Sequence, residues 1–171
     1  MRRVVRPLGP VLIALVALGS SSARAQVQLL TCPGTGATHY SPGLTFTPQP
    51  TSVTSTGTLG PCVGPGAPVV SASLSIVAQG TQGCLLGSAA GFLQLQWNDL
   101  TTSTMQGSIA ASVRPDGEVV TVATGRVIAG RFLDDTVVLT FIGLQSQLTA
   151  CLAAPGVTAT AGPATLTITN L

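Results

Sequence analysis

Residues 92–117 read FLQLQWNDLTTSTMQGSIAASVRPDG, and the parity of this stretch decides the fold class. Leu93, Leu95 and Trp97 fall on one face of an extended chain, and Gln94 and Gln96 fall on the other. Asn98-Asp99 opens a turn. Beyond it, Met105, Gly107, Ile109, Ala111 and Val113 share a face, while Gln106, Ser108, Ser112 and Arg114 mostly share the opposite one. Side chains alternate across a strand with period two, so each segment is a strand with one buried row. The pair forms an antiparallel hairpin. Pro115-Asp116-Gly117 then turns the chain, with Pro fixing φ and Gly accepting a positive one.

The same signal extends in both directions. Upstream, Ala72, Leu74, Ile76 and Ala78 alternate with Ser71, Ser73, Ser75 and Val77, and Gly80, Gly83 and Gly87 punctuate the next connection. Downstream, Glu118–Val127 and Thr136–Leu144 read as strands. Val157–Thr160 and Thr165–Thr169 read as short closing strands separated by Ala161-Gly162-Pro163. Gln145–Ala153 leaves room for one turn of helix, and Cys151–Pro155 reads as irregular. The portion up to about residue 68 is Pro/Thr/Gly-rich and less regular. Cys32–Gly36 is expected to be irregular, Ala37–Tyr40 a brief strand, and Thr51–Leu59 an exposed edge strand. Many short strands between Gly/Pro turns indicate an all-β fold. An antiparallel β-sandwich is the first expectation, and a small β-barrel is the alternative.

Residues 1–25, MRRVVRPLGPVLIALVALGSSSARA, have a different character. Arg2, Arg3 and Arg6 precede the apolar stretch Leu8–Leu18, and Ala23-Arg24-Ala25 supplies a small-x-small cleavage pattern. This is the layout of a signal peptide cut after Ala25. The apolar run falls short of the roughly 20 residues that span a bilayer, so no membrane span is expected in the mature form. Residues 26–171 then form a single secreted β domain, extracellular and at most loosely associated with the cell wall. The leader holds four of the seven basic residues; three arginines against five carboxylates leave −2 on the mature chain, which has no lysine. A basic footprint for nucleic acid is absent.

Cys32, Cys62, Cys84 and Cys151 are an even set in an exported chain, the pattern of a disulfide framework. Of the three possible pairings, Cys32–Cys62 and Cys84–Cys151 is preferred. The first tethers the irregular N-terminal segment, and the second ties distant parts of the sheet. No C-x-x-C pair occurs, and the single histidine, His39, stands apart from the cysteines, so no metal or other cofactor is expected.

Several phrases carry a resemblance: CPGTGATHYSPGL at 32–44, STGTLGPC at 55–62, QLQWND at 94–99, TVATGRVIAGRF at 121–132 and CLAAPGVTATAGPATLTI at 151–168. With the leader, they make the chain similar to small secreted actinobacterial β-rich proteins of unknown function. The resemblance implies a secreted β domain and transfers no site residues.

Candidate sites are few. Trp97, Asn98 and Asp99 can be imagined as a sugar-binding patch, a ring to stack on a sugar face beside carboxamide and carboxylate groups. The parity of Trp97 with Leu93 and Leu95 argues instead for the core. His39-Tyr40 offers a base and a phenol to a hydrolase, but no G-x-S-x-G elbow accompanies them. Asp116, Glu118, Asp134 and Asp135 lie at turns and lack a calcium-loop pattern. Arg114, Arg126 and Arg131 read as surface partners of nearby acids. No catalytic residue is assigned. The expected function is a non-enzymatic extracellular or cell-surface binding or structural domain, with cell-wall polysaccharide or an extracellular protein as partner. A small secreted hydrolase and a subunit of an extracellular assembly are the alternatives.

Overall fold

The computed structural model describes residues 29–65, 67–113, 119–143 and 145–170. The leader, Arg114, Asp116 and Glu118 lie outside the described residues. Eight strands follow in chain order: β1 (Leu29–Leu44), β2 (Gln49–Leu59), β3 (Ala72–Gln82), β4 (Leu86–Trp97), β5 (Thr102–Val113), β6 (Val119–Gly130), β7 (Thr136–Gly143) and β8 (Val157–Thr169). A 3-10 segment, Gln145–Leu152, joins β7 to β8. Each strand pairs antiparallel with the next, and β8 returns to β1, closing a barrel. The fold is therefore all-β and antiparallel, and of the two expected architectures it is the barrel. Closure removes every sheet edge. For that reason Thr51–Leu59 is not an exposed edge: as β2 it pairs along its length with β1 and β3 and buries Thr51, Val53 and Leu59.

The hairpin read from residues 92–113 is β4–β5, with Leu95 opposite Ser103 and Leu93 opposite Met105. Two expectations of irregularity are corrected. Cys32–Gly36 lies inside β1, and Ala161–Pro163 lies inside β8. Pro33 fits because β1–β2 pairing begins only at Gly34–Leu59. Its carbonyl accepts from Gly60 N–H at 2.6 Å, and its own missing N–H is not needed by the ladder. Within β1 and β8, Gly36 sits opposite both Gly57 and Gly162. On the far wall Gly91, Gly107 and Gly125 form a second row across β4, β5 and β6. A side chain on Gly107 would strike the Thr124 carbonyl and lie 2.8 Å from the Gly125 Cα. Except at Gly36, where an added Cβ would make only ordinary contacts, these glycines let neighbouring backbones close up, so what looks like punctuation in sequence is interior wall.

Odd-numbered strands run away from the end that holds Trp97. That end is filled. Trp97, Leu93, Leu95, Leu166, Ile168, Val127 and Val137 are almost completely buried. The β2–β3 connection folds under them, burying Val69, with Cys62 N–H donating to Val70 O at 2.8 Å. The Cys32–Cys62 disulfide fastens this plug to β1. Outward positions carry mostly Ser, Thr and Gln, as along Ser73, Ser75, Gln94 and Gln96. An apolar interior inside a hydroxyl-rich exterior is the reverse of a membrane-spanning barrel. Among the described residues no helix is long and apolar enough to cross a membrane.

Candidate functional site

The filling changes along the barrel axis. Toward the second end the inward positions shrink or become polar: Gly36, Thr38 and Tyr40 on β1, Ser55 on β2, Gln82 on β3, Ala111 on β5, and Thr121 and Ala123 on β6. These residues, with Phe141 and Leu139 from β7, line a cavity of about 90 Å³. Close packing normally fills a barrel interior with side chains, so a void bounded by small residues is built into this sequence.

Its polar groups come in register. Thr38 faces Ser55 across β1–β2 and Thr160 across β1–β8, making a hydroxyl row one rung above the Gly57–Gly36–Gly162 row. Thr38 and Ser55 hydroxyls are 2.8 Å apart and bonded to each other. Tyr40 lies one rung nearer the mouth, and its hydroxyl is 3.4 Å from that of Thr160. Burial pushes the Tyr40 phenol above its ordinary pKa, and the weak Thr160 contact opposes this only in part. Gln82 is buried and also lines the cavity.

The Cys84–Cys151 disulfide crosses the mouth. Cys84 follows β3 and Cys151 lies in the β7–β8 connection, positions four strands apart either way around an eight-stranded barrel. Opposite walls stand roughly 10 Å apart or more. The 6.3 Å Cα separation therefore requires the connection to lean over the opening. The preferred pairings are thus both present.

The sequence candidates lie elsewhere. Trp97 is 1% exposed at the filled end. Its indole N–H donates to the Ser103 hydroxyl at 2.9 Å, and its ring meets Phe132 edge-on at 5.3 Å. Asn98 Oδ1 accepts from Val70 and Ser71 N–H, pinning the plug. Asp99 accepts from Thr101 and pairs with Arg131. The Thr101 hydroxyl, first among several causes, holds its carboxyl below the ordinary pKa. All three residues are occupied in structure, and the buried ring offers no platform for a sugar.

His39 is exposed on the outer wall, between Thr54 and Ala159, on the face opposite Thr38 and Tyr40. The described carboxylates, Asp99, Asp134 and Asp135, are on turns at the filled end. His39 and a described carboxylate are therefore not brought together. Arg126 donates to Asp134 O at 2.8 Å. Asp135 has a raised pKa, from burial and then from neighbouring Asp134. Among the described residues no group of three His, Cys, Asp or Glu gathers.

Sequence reasoning missed the cavity, although a signal for it exists. Extending the period of two from Ala78 to Gln82 places a carboxamide inside, and the inward glycines and alanines mark unfilled space. The chain matches no protein-family model, no curated protein and no solved structure.

Proposed function

We propose that the chain is a non-enzymatic extracellular binding domain that holds a small, mostly apolar molecule inside the open end of its barrel. The observation that carries this reading is the unfilled cavity between Phe141, Tyr40 and Gly36, walled by Leu74, Ile76, Ile109 and Leu139. Ligand sites are concave, largely apolar and furnished with a few placed polar groups. Here the hydroxyls of Thr38, Ser55 and Tyr40 are those groups. The leader read from residues 1–25 and the paired cysteines support an oxidising, extracellular setting.

Chemical-shift mapping on oxidised residues 26–171 with benzene tests it. Saturable shifts are expected at Gly36, Tyr40 and Phe141, and none at Trp97. Shifts that fail to saturate, or that scatter over the outer wall, overturn the reading.

One observation favours a second mode, contact with cell-wall polysaccharide. Phe92 is 50% exposed on the outer wall, beside Gln94 on its own strand and opposite Gln106. An exposed aromatic face beside the Gln94 and Gln106 carboxamides, with Val77 on its other flank, suits a sugar ring better than buried Trp97 does. Retention on insoluble wall material, lost in Phe92→Ala, is the corresponding test.

A further inference from the structure

Gln82 is the polar group that the fold leaves unsatisfied. It is the last residue of β3, inward by parity with Ala78 and Ile76, and only 4% exposed. Its side chain folds over Gly87, where an added Cβ would strike its amide. Among the described residues its carboxamide has no hydrogen-bond partner. Such a group carries two N–H donors and a carbonyl acceptor. Burying it unpaired is costly, and native proteins seldom leave one so. The cavity beside it supplies room for a partner that is not part of the chain.

The remaining lining limits what that partner is. Among the described residues no Asp, Glu, Lys, Arg or His lines the cavity. Among the described lining residues, the inward-facing polar side chains are neutral: the Tyr40, Thr38, Ser55, Thr121 and Thr160 hydroxyls and the Gln82 carboxamide. A carboxylate or ammonium placed there would lose its hydration and find no counter-charge among the described lining residues, whereas a neutral group loses far less. Gln82 can both give to and accept from a single planar polar group.

We propose that the ligand is an uncharged molecule with a short apolar body and one amide-like or hydroxyl group, which Gln82 recognises. This rests on the cavity being a ligand site, and it adds that Gln82 sets the specificity for a neutral polar group.

Five-carbon probes separate the two claims. Pentanamide, pentanoate and pentylammonium share a chain and differ in charge, and benzene reports the apolar cavity alone. Affinities are read by calorimetry or chemical shift at neutral pH on the oxidised protein. Pentanamide is expected to bind at least about tenfold more tightly than either charged probe. Gln82→Met is expected to weaken pentanamide about tenfold and to leave benzene unchanged. Gln82→Glu is expected to shift the preference toward pentylammonium, which keeps the test open if Gln82→Met does not fold. Pentanoate binding as tightly as pentanamide, or either variant keeping the parent preference, overturns the role of Gln82 while benzene binding leaves the cavity standing. Failure of benzene and pentanamide together overturns both.

Discussion

Two glycine-to-alanine changes should move stability in opposite directions, and the difference measures whether the cavity is real. At Gly36 an added Cβ would lie 3.4 Å from the Thr56 carbonyl oxygen and 3.6 Å from the Phe141 ring, ordinary contact distances at the edge of the void. The methyl gains about 0.8 kcal/mol from burial. Restricting the unfolded chain adds about 0.4–1 kcal/mol. Gly36→Ala is therefore expected to stabilise by about 1–2 kcal/mol, or a melting shift of roughly 2–8 °C for a domain of this size. At Gly107 the same methyl meets the backbone of Thr124 and the Gly125 Cα, groups that cannot turn aside. Overpacking of this kind costs about 1–3 kcal/mol. Urea unfolding followed by the fluorescence of Trp97, the single tryptophan, reads both variants with one probe at the filled end. Destabilisation by Gly36→Ala comparable to that by Gly107→Ala would refute the unfilled space at Gly36. A stabilised Gly36→Ala should also bind benzene more weakly, because the methyl takes up cavity volume.

Three further outcomes are expected. Ser103→Ala leaves the buried Trp97 indole N–H without its acceptor and should cost about 1–3 kcal/mol, read by the same unfolding curve. Replacing Cys84 and Cys151 by Ala releases a cross-link with a sequence separation of 67. It should cost about 4 kcal/mol on the chain-entropy model and speed the exchange of benzene through the loosened mouth, measured by line shape. Tyr40 is the only tyrosine, so phenolate absorbance reports the cavity directly. Burial raises its pKa above 10.0 in the folded chain, while the unfolded chain ionises near that value. The stability this difference contributes is present in full below about pH 10 and is lost as pH rises through the folded-state pKa. The absorbance titration should be displaced upward in the native protein, and Tyr40→Phe should flatten the alkaline arm of its stability profile.

Local periodicity made the middle of this barrel legible. The rows Ala72–Ala78, Leu93–Trp97 and Met105–Ile109 face inward as their parity requires, and Trp97 is core because it shares parity with Leu93. Closure was not legible, since sandwich and barrel strands carry the same alternation. The seam that decides between them is β1–β8, where Pro33, Gly34, Gly36, Gly162 and Pro163 break the apolar pattern. The disulfide pairing followed from which segments needed tethering, although the tethered N-terminal segment is itself a strand. The cavity depends on cross-strand neighbours far apart in the chain. Gly36 borders space where residues 57 and 162, its neighbours on both sides, are also glycine. A single segment carries no record of that coincidence. Trp97, Asn98 and Asp99 drew attention by residue type, yet their partners at positions 103, 70, 71, 101 and 131 commit them to structure.

On the binding function proposed above, the two ends of the barrel divide stability from recognition. At the filled end, burying each large aliphatic side chain contributes about 1.5–3 kcal/mol, and Leu93, Leu95, Leu166 and Ile168 are all almost completely enclosed there. One unpaired carboxamide at the other end costs about 1–3 kcal/mol, which such a core can carry. Selection for stability alone would place an apolar residue at position 82, since inward neighbours Ala78 and Ile76 on the same strand already are apolar. A polar group placed against that gradient is a usual mark of a functional position, where stability is given up for what the group does. The disulfides follow the same division. Cys32–Cys62 locks the plug beneath Trp97, and Cys84–Cys151 draws the β7–β8 connection over the cavity without filling it. Cys84 and Cys151 also pack with Leu44 and Val157 in a small buried cluster, with Tyr40 against it, so this cross-link stabilises the fold while it bounds the cavity.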